Sequence, residues 1–310
     1  MAQAGSASSP SNRGLRKYMV AGVFALVLWQ VVGALRIGSD RPAFATGCAP
    51  FPNKRVVLLS LSASYADFLR NWFATSSKYL TDDDVVVIVA EDDEALRLVT
   101  DATTAQQIGR AYTVMDSTGR LLHNETEPKK VSFLSWSEEE DFRYRAVTGA
   151  KPSRMLSLLE QGCTVYWSDI DAVWTNSVWD DVASLGVHDL YVPDDSGDES
   201  WTVVEEDGNW NLCTCQMYIQ PTDAVKTMFR LWVSLTTPDA DSDQVTFNEV
   251  MKKDHFGSKT VDLAVLPFGK FPPGPATEAQ HNPTVVHANW LSELEDKTEF
   301  LRKFNLWSLS

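Results

Sequence analysis

The segment Val165–Trp174, VYWSDIDAVW, constrains the fold of this chain more than any other. It follows Gly162, and the apolar run from Cys163 to Trp167 predicts a buried strand. Asp169 and Asp171 come one residue apart at the end of this strand, and side chains at i and i+2 of an extended chain point to the same side. Two like charges beside an apolar interior are unfavourable unless a positive group lies between them.

A divalent cation with oxygen ligands is the usual partner of such a carboxylate pair, and a diphosphate is the usual second partner of that cation. We therefore predict a metal and diphosphate site at Asp169 and Asp171. The alternative is an acidic turn with one Asp as a helix cap, since Asp-x-Asp is common in a chain with 42 acidic residues. The motifs that accompany the pair favour the metal site.

The body of the chain alternates strand-like and helix-like segments. Val56–Leu61 and Val85–Ala90 are apolar runs typical of buried strands, and Tyr65–Leu80 between them has helical apolar spacing. This alternation predicts an α/β fold with a mostly parallel sheet that is flanked by helices on both faces. Ligands of such sheets bind at the carboxyl ends of the strands, which is where the Asp-x-Asp pair is predicted.

Further elements are predicted on both sides of the Asp-x-Asp strand. The charged segment 137–149 predicts a surface helix, and a second helix is predicted to open at Lys151-Pro152 and to close at Gly162. Strands are predicted at 189–192, 213–220, 261–266 and 284–287, and helices at 224–235, 241–253 and 291–304.

The N-terminal segment Tyr18–Leu35 contains no charged residue. At ~1.5 Å per residue, a helix of this length is about long enough to cross a thin bilayer. Basic residues before it favour a cytoplasmic N-terminus and a luminal body. A signal peptide cleaved near Ala43-Phe44-Ala45 is the alternative, and the long apolar core favours an uncleaved anchor.

These patterns predict a cytoplasmic tail (1–17), a transmembrane signal-anchor (18–35), a stem (36–53) and a catalytic domain (54–310). In the secretory lumen the sequon Asn124-Glu125-Thr126 would be available for glycosylation. The net charge of −15 argues against a nucleic-acid partner, because a phosphate backbone would be repelled.

The four cysteines, Cys48, Cys163, Cys213 and Cys215, allow three complete disulfide pairings in an oxidising lumen. A Cys-x-Cys pair suggests zinc, but no second pair and no neighbouring His completes such a site along the sequence. We therefore expect structural cysteines.

An ordered set of motifs carries a family resemblance. VYWSDIDAVW resembles the Asp-x-Asp strand of glycosyltransferases with the GT-A fold, and most of all the nucleotide-diphospho-sugar transferase domain of glycosyltransferase family 77. That family includes plant xylosyl- and arabinosyltransferases. Three later segments match its motifs in the same order, namely NLCTCQMYIQPT (211–222), DQVTFNEV (243–250) and VVHANW (285–290). The resemblance departs at Cys215 and Gln216, where small residues are commoner.

The resemblance implies a GT-A-type, Rossmann-like sheet and retaining transfer from a UDP-sugar with the help of Mn²⁺ or Mg²⁺. Asp169, Asp171 and His287 would be the metal ligands, because neutral imidazole suits manganese beside carboxylates. On its own, His287 would more simply be a core histidine at a strand end. Lys151 would contact the diphosphate or the sugar as a point charge, and its alternative is a solvated helix start.

Asp243 and Gln244 are implied to be the catalytic pair that hydrogen-bonds the donor sugar, and Asn248 a further substrate contact on the same helix. Asp243 would also stabilise an oxocarbenium-like centre. Its alternative role is a helix cap, which Asp241 or Ser242 would serve as well. Trp136, Trp201 and Trp210 are candidates for stacking on sugars, although most tryptophans of the chain are expected in the core.

The implied partners are a UDP-sugar donor with xylose, galactose or arabinose, a glycan or glycoprotein acceptor, and the Golgi membrane in a single-pass type II topology. Two alternatives stay open. The segment Asp169–Val173 fits the nucleophile motif of haloacid-dehalogenase-type phosphatases, but that motif belongs on the first strand of its domain. The other alternative is a non-catalytic glycan-binding module of the same fold, and the presence of the metal-site residues Asp169, Asp171 and His287 argues against it.

Overall fold

A computed structural model of the chain describes residues 47–122, 140–196, 211–236 and 242–309. The predicted tail and anchor, the sequon at Asn124, and Trp136, Trp201 and Trp210 lie outside these residues. Among the described residues, no helix combines the length and the apolar character needed to cross a bilayer.

The strands are, in chain order, β1 (Gly47–Cys48), β2 (Phe51–Pro52), β3 (Arg55–Leu61), β4 (Asp84–Ala90), β5 (Tyr112–Met115), β6 (Leu121–Leu122), β7 (Val165–Ser168), β8 (Ala172–Trp174), β9 (Leu190–Pro193), β10 (Gln216–Ile219), β11 (Leu263–Leu266) and β12 (Val285–His287). The α-helices are α1 (Ala66–Ser76), α2 (Asp93–Thr100), α3 (Ala102–Ile108), α4 (Glu140–Glu160), α5 (Val178–Ser184), α6 (Asp223–Leu235), α7 (Asp243–Lys253) and α8 (Leu294–Lys303). Within the described residues, each predicted strand and helix has a counterpart, with α4 standing for two predicted helices, whereas β1, β2, β5, β6, β8, α3 and α5 were not predicted, because each is short.

The central sheet has eight strands in the order β11-β9-β10-β7-β3-β4-β5-β6. Strand β3 pairs in parallel with β4 and β7, β4 with β5, and β9 with β11. Strand β10 is antiparallel to both β7 and β9, so β9 runs in the direction of β7. Six of these eight strands therefore point the same way, which confirms the predicted mixed, mostly parallel sheet.

Helices cover both faces of this sheet, as the alternation predicted. Along β3, Val57 and Leu59 face one apolar core and Val56 and Leu58 face the other, and all four are fully buried. Helices α1, α2 and α5 contribute to the first core, and α4, α6 and α7 contribute to the second. A strand buried on both sides needs apolar residues at every position, which explains the continuous runs in the sequence.

Helix α4 corrects one prediction. Lys151 and Pro152 do not open a helix, because they lie in the second half of a single 21-residue helix that begins at Glu140. A proline inside a helix removes one backbone hydrogen bond, and its ring crowds the carbonyl four residues earlier, which together cost about 3 kcal/mol. The helix nevertheless continues through Pro152, and its packing against α6 and α7 offsets that cost. Lys151 is consequently buried and is not a solvated helix start.

The four cysteines form two disulfides, Cys48–Cys163 and Cys213–Cys215. The first ties the β1–β2 hairpin, which lies within the predicted stem, to the residues that lead into β7. It joins residues 115 apart, and closing so long a loop removes about 4–5 kcal/mol of unfolded-chain entropy in the usual model.

Candidate active site

The Asp-x-Asp motif lies in a tight turn that follows β7. The strand ends at Ser168, and the amide of Ala172 donates to the carbonyl of Asp169 over 3.1 Å. The amide of Asp169 donates to the carbonyl of Cys215 over 2.8 Å, which fixes the turn to the chain entering β10. The pair therefore lies in a turn between β7 and β8 and not in the extended chain predicted for it.

A two-stranded ribbon brings His287 to this turn. Strand β12 pairs antiparallel with β8, and His287 stands opposite Ala172, the residue after Asp171. The His287 ring is buried, and its Nε2 atom lies 3.3 Å from Asp171 Oδ1 and 3.8 Å from Asp169 Oδ2. The position of His287 is thus set by strand pairing.

The three predicted metal ligands converge. One ligand atom each from Asp169, Asp171 and His287 lies within 4.8 Å of the others. Two carboxylates and one imidazole form a donor set that suits manganese or magnesium better than a thiolate-preferring ion. The residues present therefore fit a divalent cation.

Lys297 on α8 forms an ion pair with Asp171. Its Nζ lies 2.5 Å from Asp171 Oδ2 and also donates to the carbonyl of Ala288 over 3.0 Å. Burial opposes ionisation of Asp171, but the Lys297 ammonium and the His287 ring outweigh burial and hold the pKa of Asp171 below its usual range. Burial likewise disfavours the Lys297 ammonium, and the Asp171 carboxylate more than offsets it, so the pKa of Lys297 is raised.

Lys151 on α4 has looser contacts with two carboxylates. Its Nζ lies 3.4 Å from Asp169 Oδ1 and 3.3 Å from Asp243 Oδ2, and it is buried. Each carboxylate has a second donor, the indole Nε1 of Trp167 at 2.8 Å for Asp169 and the hydroxyl of Thr214 at 2.8 Å for Asp243. Lys151 therefore links the Asp-x-Asp turn to the start of α7.

The first turn of α7 places the predicted catalytic pair at the same sheet edge. Ser242 caps the helix by accepting a hydrogen bond from the amide of Val245 over 3.3 Å, so Asp243 is not the cap. Gln244 donates from Nε2 to Asp195 Oδ2 over 3.0 Å and to Asn211 Oδ1 over 3.2 Å. The structure thus brings Asp243 and Gln244 beside Lys151 and the Asp-x-Asp turn.

Asn248 makes structural contacts that the sequence did not predict. Its Oδ1 accepts from the amide of Leu212 over 2.8 Å, and its Nδ2 donates to the carbonyls of Leu212 over 2.9 Å and of Gln244 over 2.8 Å. Both N–H groups of the amide are used within the protein. Asn248 therefore clamps the segment that leads into β10, and its contact with the substrate stays a prediction.

Asp195 is a site residue that the sequence analysis missed. It follows β9 and is buried, and its Oδ1 accepts from Asn289 Nδ2 over 2.8 Å and from Trp290 Nε1 over 3.1 Å. Asp195, His287 and Cys215 line the same small, open pocket. Because β9 points the same way as β7, an acidic residue just after its predicted strand was a usable signal.

Lys297 and Gly274 were also not predicted as site residues from the sequence. Lys297 precedes the buried Leu301 by one helical turn, which places it on the inner side of α8 and was the available signal. A Cβ at Gly274 would approach the carbonyl oxygens of Asn289 and His287 to 2.8 and 2.9 Å. Only glycine therefore lets this loop pack against the His-x-Asn segment.

The topology disfavours the phosphatase alternative. Strands β3, β4 and β5 precede β7 in the chain and belong to the same sheet. The phosphatase motif would require the Asp-x-Asp strand to be the first of its domain.

Comparison with known proteins agrees with this architecture. The family model "Nucleotide-diphospho-sugar transferase" matches residues 82–301. Among curated proteins, the UDP-D-xylose:L-fucose alpha-1,3-D-xylosyltransferase MGP4 of Arabidopsis thaliana is 26% identical over 283 residues, which cover 82% of this chain and 70% of that protein. A second enzyme of that name from the same plant, numbered 1, is 25% identical over 280 residues, with 82% and 71% covered.

Solved glycosyltransferases show a weaker similarity. The galactosyltransferase LgtC, in complex with donor and acceptor sugar analogues, has a TM-score of 0.47 at 14% identity, with 82% of this chain and 97% of that chain covered. GlyE of Streptococcus pneumoniae TIGR4 has a TM-score of 0.47 at 13% identity, and the match covers 83% of this chain but only 61% of GlyE. The sequence match to the family therefore decides the assignment, and this chain belongs to the nucleotide-diphospho-sugar transferase family of glycosyltransferases.

Proposed function

We propose that this protein is a retaining, metal-dependent glycosyltransferase that moves a sugar from a UDP-sugar to a glycan or glycoprotein acceptor. The observation that carries the proposal is the convergence of Asp169, Asp171 and His287 within 4.8 Å at the carboxyl end of β7. Mn²⁺ is the expected cation and Mg²⁺ the second choice, because the set mixes carboxylates with an imidazole.

The charges around the turn support a diphosphate ligand. In the described ion pairs of this cluster, Asp169, Asp171 and Asp243 face two ammonium groups, those of Lys151 and Lys297, and the His287 ring. With His287 counted as a neutral imidazole, the cluster has one formal negative charge in excess. A divalent cation would reverse that sign and make the site attractive to an anion. Such a cation supplies charge neutralisation to the departing nucleoside diphosphate.

The protein's own groups have distinct proposed roles. Asp171 and His287 would hold the cation from the side of the β8–β12 ribbon, and Asp169 would hold it directly or through water. Lys151 would pair with a phosphate oxygen or the sugar once its carboxylate partners turn to the ligand. Asp243 and Gln244 would contact the donor sugar, with Asp243 close enough to the turn to stabilise positive charge at the reacting carbon.

Among the three donor sugars expected, the relatives favour xylose. The two Arabidopsis relatives are named as enzymes that use UDP-D-xylose and L-fucose and make an alpha-1,3 linkage. We therefore propose UDP-xylose as the first donor to test and a fucose-bearing glycan as the first acceptor. UDP-galactose and UDP-arabinose are the next candidates.

The test is a donor panel. The chain would be incubated with each UDP-sugar and Mn²⁺, with and without a fucoside acceptor, and released UDP would be measured. We expect one UDP-sugar to be consumed, a matched GDP-sugar to be inert, and the activity to vanish with a chelator and return with Mn²⁺. Comparing the anomeric configuration of product and donor tests retention. Absence of turnover with every donor by a folded, metal-loaded chain would contradict the proposal.

We also propose that residues 18–35 anchor the protein in the Golgi membrane as a single-pass type II protein with a luminal catalytic domain. The charge-free segment and the basic residues before it support this orientation. Made in microsomes, the chain should resist added protease except at its N-terminal tail, and Asn124 should carry a glycan. A protease-sensitive body would contradict the topology.

A further inference from the structure

The Cys213–Cys215 disulfide lies within the proposed active site. Both cysteines line the same pocket as His287. The carbonyl of Cys215 accepts the amide hydrogen bond of Asp169, and Thr214 between the two cysteines contacts Lys151 and Asp243. The bridge therefore closes a short segment that contacts both the Asp-x-Asp turn and the first residue of α7.

This bridge differs from Cys48–Cys163 in what it can do for the fold. It joins residues two apart, whereas the other disulfide joins residues 115 apart. A cross-link over so short a loop removes little entropy from the unfolded chain. Global stability therefore gives little reason for a disulfide at this place.

The fold brings His287 to the two cysteines as a third candidate metal ligand, although no histidine lies near them in the sequence. One ligand atom each from Cys213, Cys215 and His287 lies within 4.8 Å of the others. In a tetrahedral zinc site with Zn–S bonds near 2.3 Å, ligand atoms stand about 3.8 Å apart, so small movements after reduction would suffice. Two thiolates and an imidazole, with a fourth position open, form a recognised zinc-binding set.

We propose that Cys213, Cys215 and His287 form a thiolate metal site that takes Zn²⁺ once the Cys213–Cys215 bridge is reduced. The reductant is a small thiol. Its thiolate attacks one bridge sulfur, which forms a mixed disulfide and frees the other cysteine; a second thiol then attacks the mixed disulfide, frees the remaining cysteine, and leaves with the first thiol as their disulfide. Binding of Zn²⁺ then displaces the two thiol protons. Both cysteines line the pocket but are buried, so the reductant reaches the bridge when this segment opens locally.

His287 belongs to both groups of ligand atoms, the thiolate group and the Asp169–Asp171 group. A neutral imidazole has one free lone pair, so it binds one cation at a time. Zinc at the thiolate site should therefore weaken manganese at the carboxylate site. This consequence for catalysis rests on the proposed function, whereas zinc binding itself does not.

The test measures zinc alone, on the 310-residue chain, before and after reduction with a phosphine. Competition with a chromophoric chelator gives the affinity, and Co²⁺ in place of Zn²⁺ should show thiolate-to-metal charge-transfer absorption. We expect one Zn²⁺ per reduced chain, bound at least about 100-fold more tightly than by the oxidised chain. Cys213→Ser, Cys215→Ser and His287→Ala should each weaken binding by about 10-fold or more.

Two controls separate this site from other effects. His281→Ala removes an exposed histidine and should leave zinc affinity unchanged. The double variant Cys48→Ala, Cys163→Ala keeps only the Cys213–Cys215 pair and should retain the response to reduction. If that variant does not fold, alkylation after limited reduction of the wild type, mapped by mass spectrometry, identifies the opened bridge. Equal zinc affinity in the oxidised and reduced chains, or zinc binding insensitive to Cys213→Ser and Cys215→Ser, would overturn the site.

Discussion

The two carboxylates of the Asp-x-Asp turn belong to regions that are built differently. Asp171 faces the β8–β12 ribbon and α8, where one lysine, Lys297, pairs with it at 2.5 Å. Asp169 faces α4 and α7, where Lys151 stands 3.4 Å away and is shared with Asp243. We call these the ribbon side and the helix side of the turn.

The difference indicates which side holds the fold and which side is available to a ligand. On the ribbon side, the buried Asp171 has one close ammonium group, that of Lys297, and its other neighbour is the His287 ring at 3.3 Å, itself a candidate metal ligand. On the helix side, each carboxylate keeps another donor, Trp167 for Asp169 and Thr214 for Asp243, even without the lysine. We therefore expect Lys297 to matter mainly for stability and Lys151 mainly for binding the donor.

The largest effect is expected for Asp171→Asn, which keeps the size of the side chain and removes its charge. Turnover should fall by roughly 10³-fold or more, because the loss acts on charge that develops in the transition state. The measurement is steady-state release of UDP over a range of Mn²⁺ concentrations. Near-normal turnover of Asp171→Asn in the presence of a chelator would contradict the role of Asp171 as a metal ligand. Thermal unfolding, followed in parallel, controls for the loss of the Lys297 pair.

Removing Lys297 should cost more stability than any other change at the turn. Lys297→Met leaves Asp171 as a buried carboxylate without its close cation, which should lower the free energy of unfolding by about 3–5 kcal/mol. Chemical denaturation measures this. The double variant with Asp171→Asn should recover much of the loss, and equal losses in the single and double variants would show that the unpaired charge of Asp171 is not its cause.

Truncating His287 tests whether the ribbon side reaches the metal. His287→Ala should raise the Mn²⁺ concentration required for half-maximal activity by about 10- to 100-fold. Excess Mn²⁺ should then restore part of the turnover, which it could not do for a misfolded chain. Unchanged Mn²⁺ affinity with a large loss of thermal stability would make His287 a core histidine and remove it from the site.

Replacing Lys151 should have a smaller effect, and mainly on the donor. Lys151→Met should weaken donor binding by about 10-fold, as expected when one charge-assisted contact is lost. Its loss of stability should be clearly below that of Lys297→Met, which serves as the matched comparison. A larger loss of stability in Lys151→Met would reverse the roles proposed for the two sides.

The smallest effect concerns Glu91, a buried carboxyl group that faces Arg154, the second cation of α4. Glu91 is buried at the carboxyl end of β4, and burial raises its pKa although Arg154 lies 3.4 Å away. The folded chain therefore keeps this proton at a pH where the unfolded chain, with a pKa of 4.5, has lost it. Stability should accordingly decrease as pH rises from 4.5 toward the folded-state pKa, and Glu91→Gln should remove that decrease. Parallel pH profiles of the free energy of unfolding in the two proteins would contradict this sign.

Much of the fold was accessible from the sequence because local rules govern it. The apolar runs at β3, β4 and β7 read as buried strands, and the structure places them side by side in the sheet. Short elements such as β8 and α5 were missed, because three to seven residues carry too little periodic signal. The single helix α4 was split in the prediction, because the proline rule is local whereas packing against α6 and α7 is not.

The candidate site divides in the same way. The sequence by itself determined that Asp169 and Asp171 would end a buried strand at the carboxyl edge of a sheet, since that follows from alternation and strand direction. It also proposed His287, Lys151, Asp243 and Gln244 through the family resemblance.

Only the tertiary structure decided which groups surround the turn. The pairing of β12 with β8 places His287 beside Asp171, and docking of α8 places Lys297 there. The same pairing brings His287 to Cys213 and Cys215, although the sequence showed no histidine near them. Contacts between residues more than seventy positions apart depend on how the elements pack, and no local pattern of residues encodes that packing.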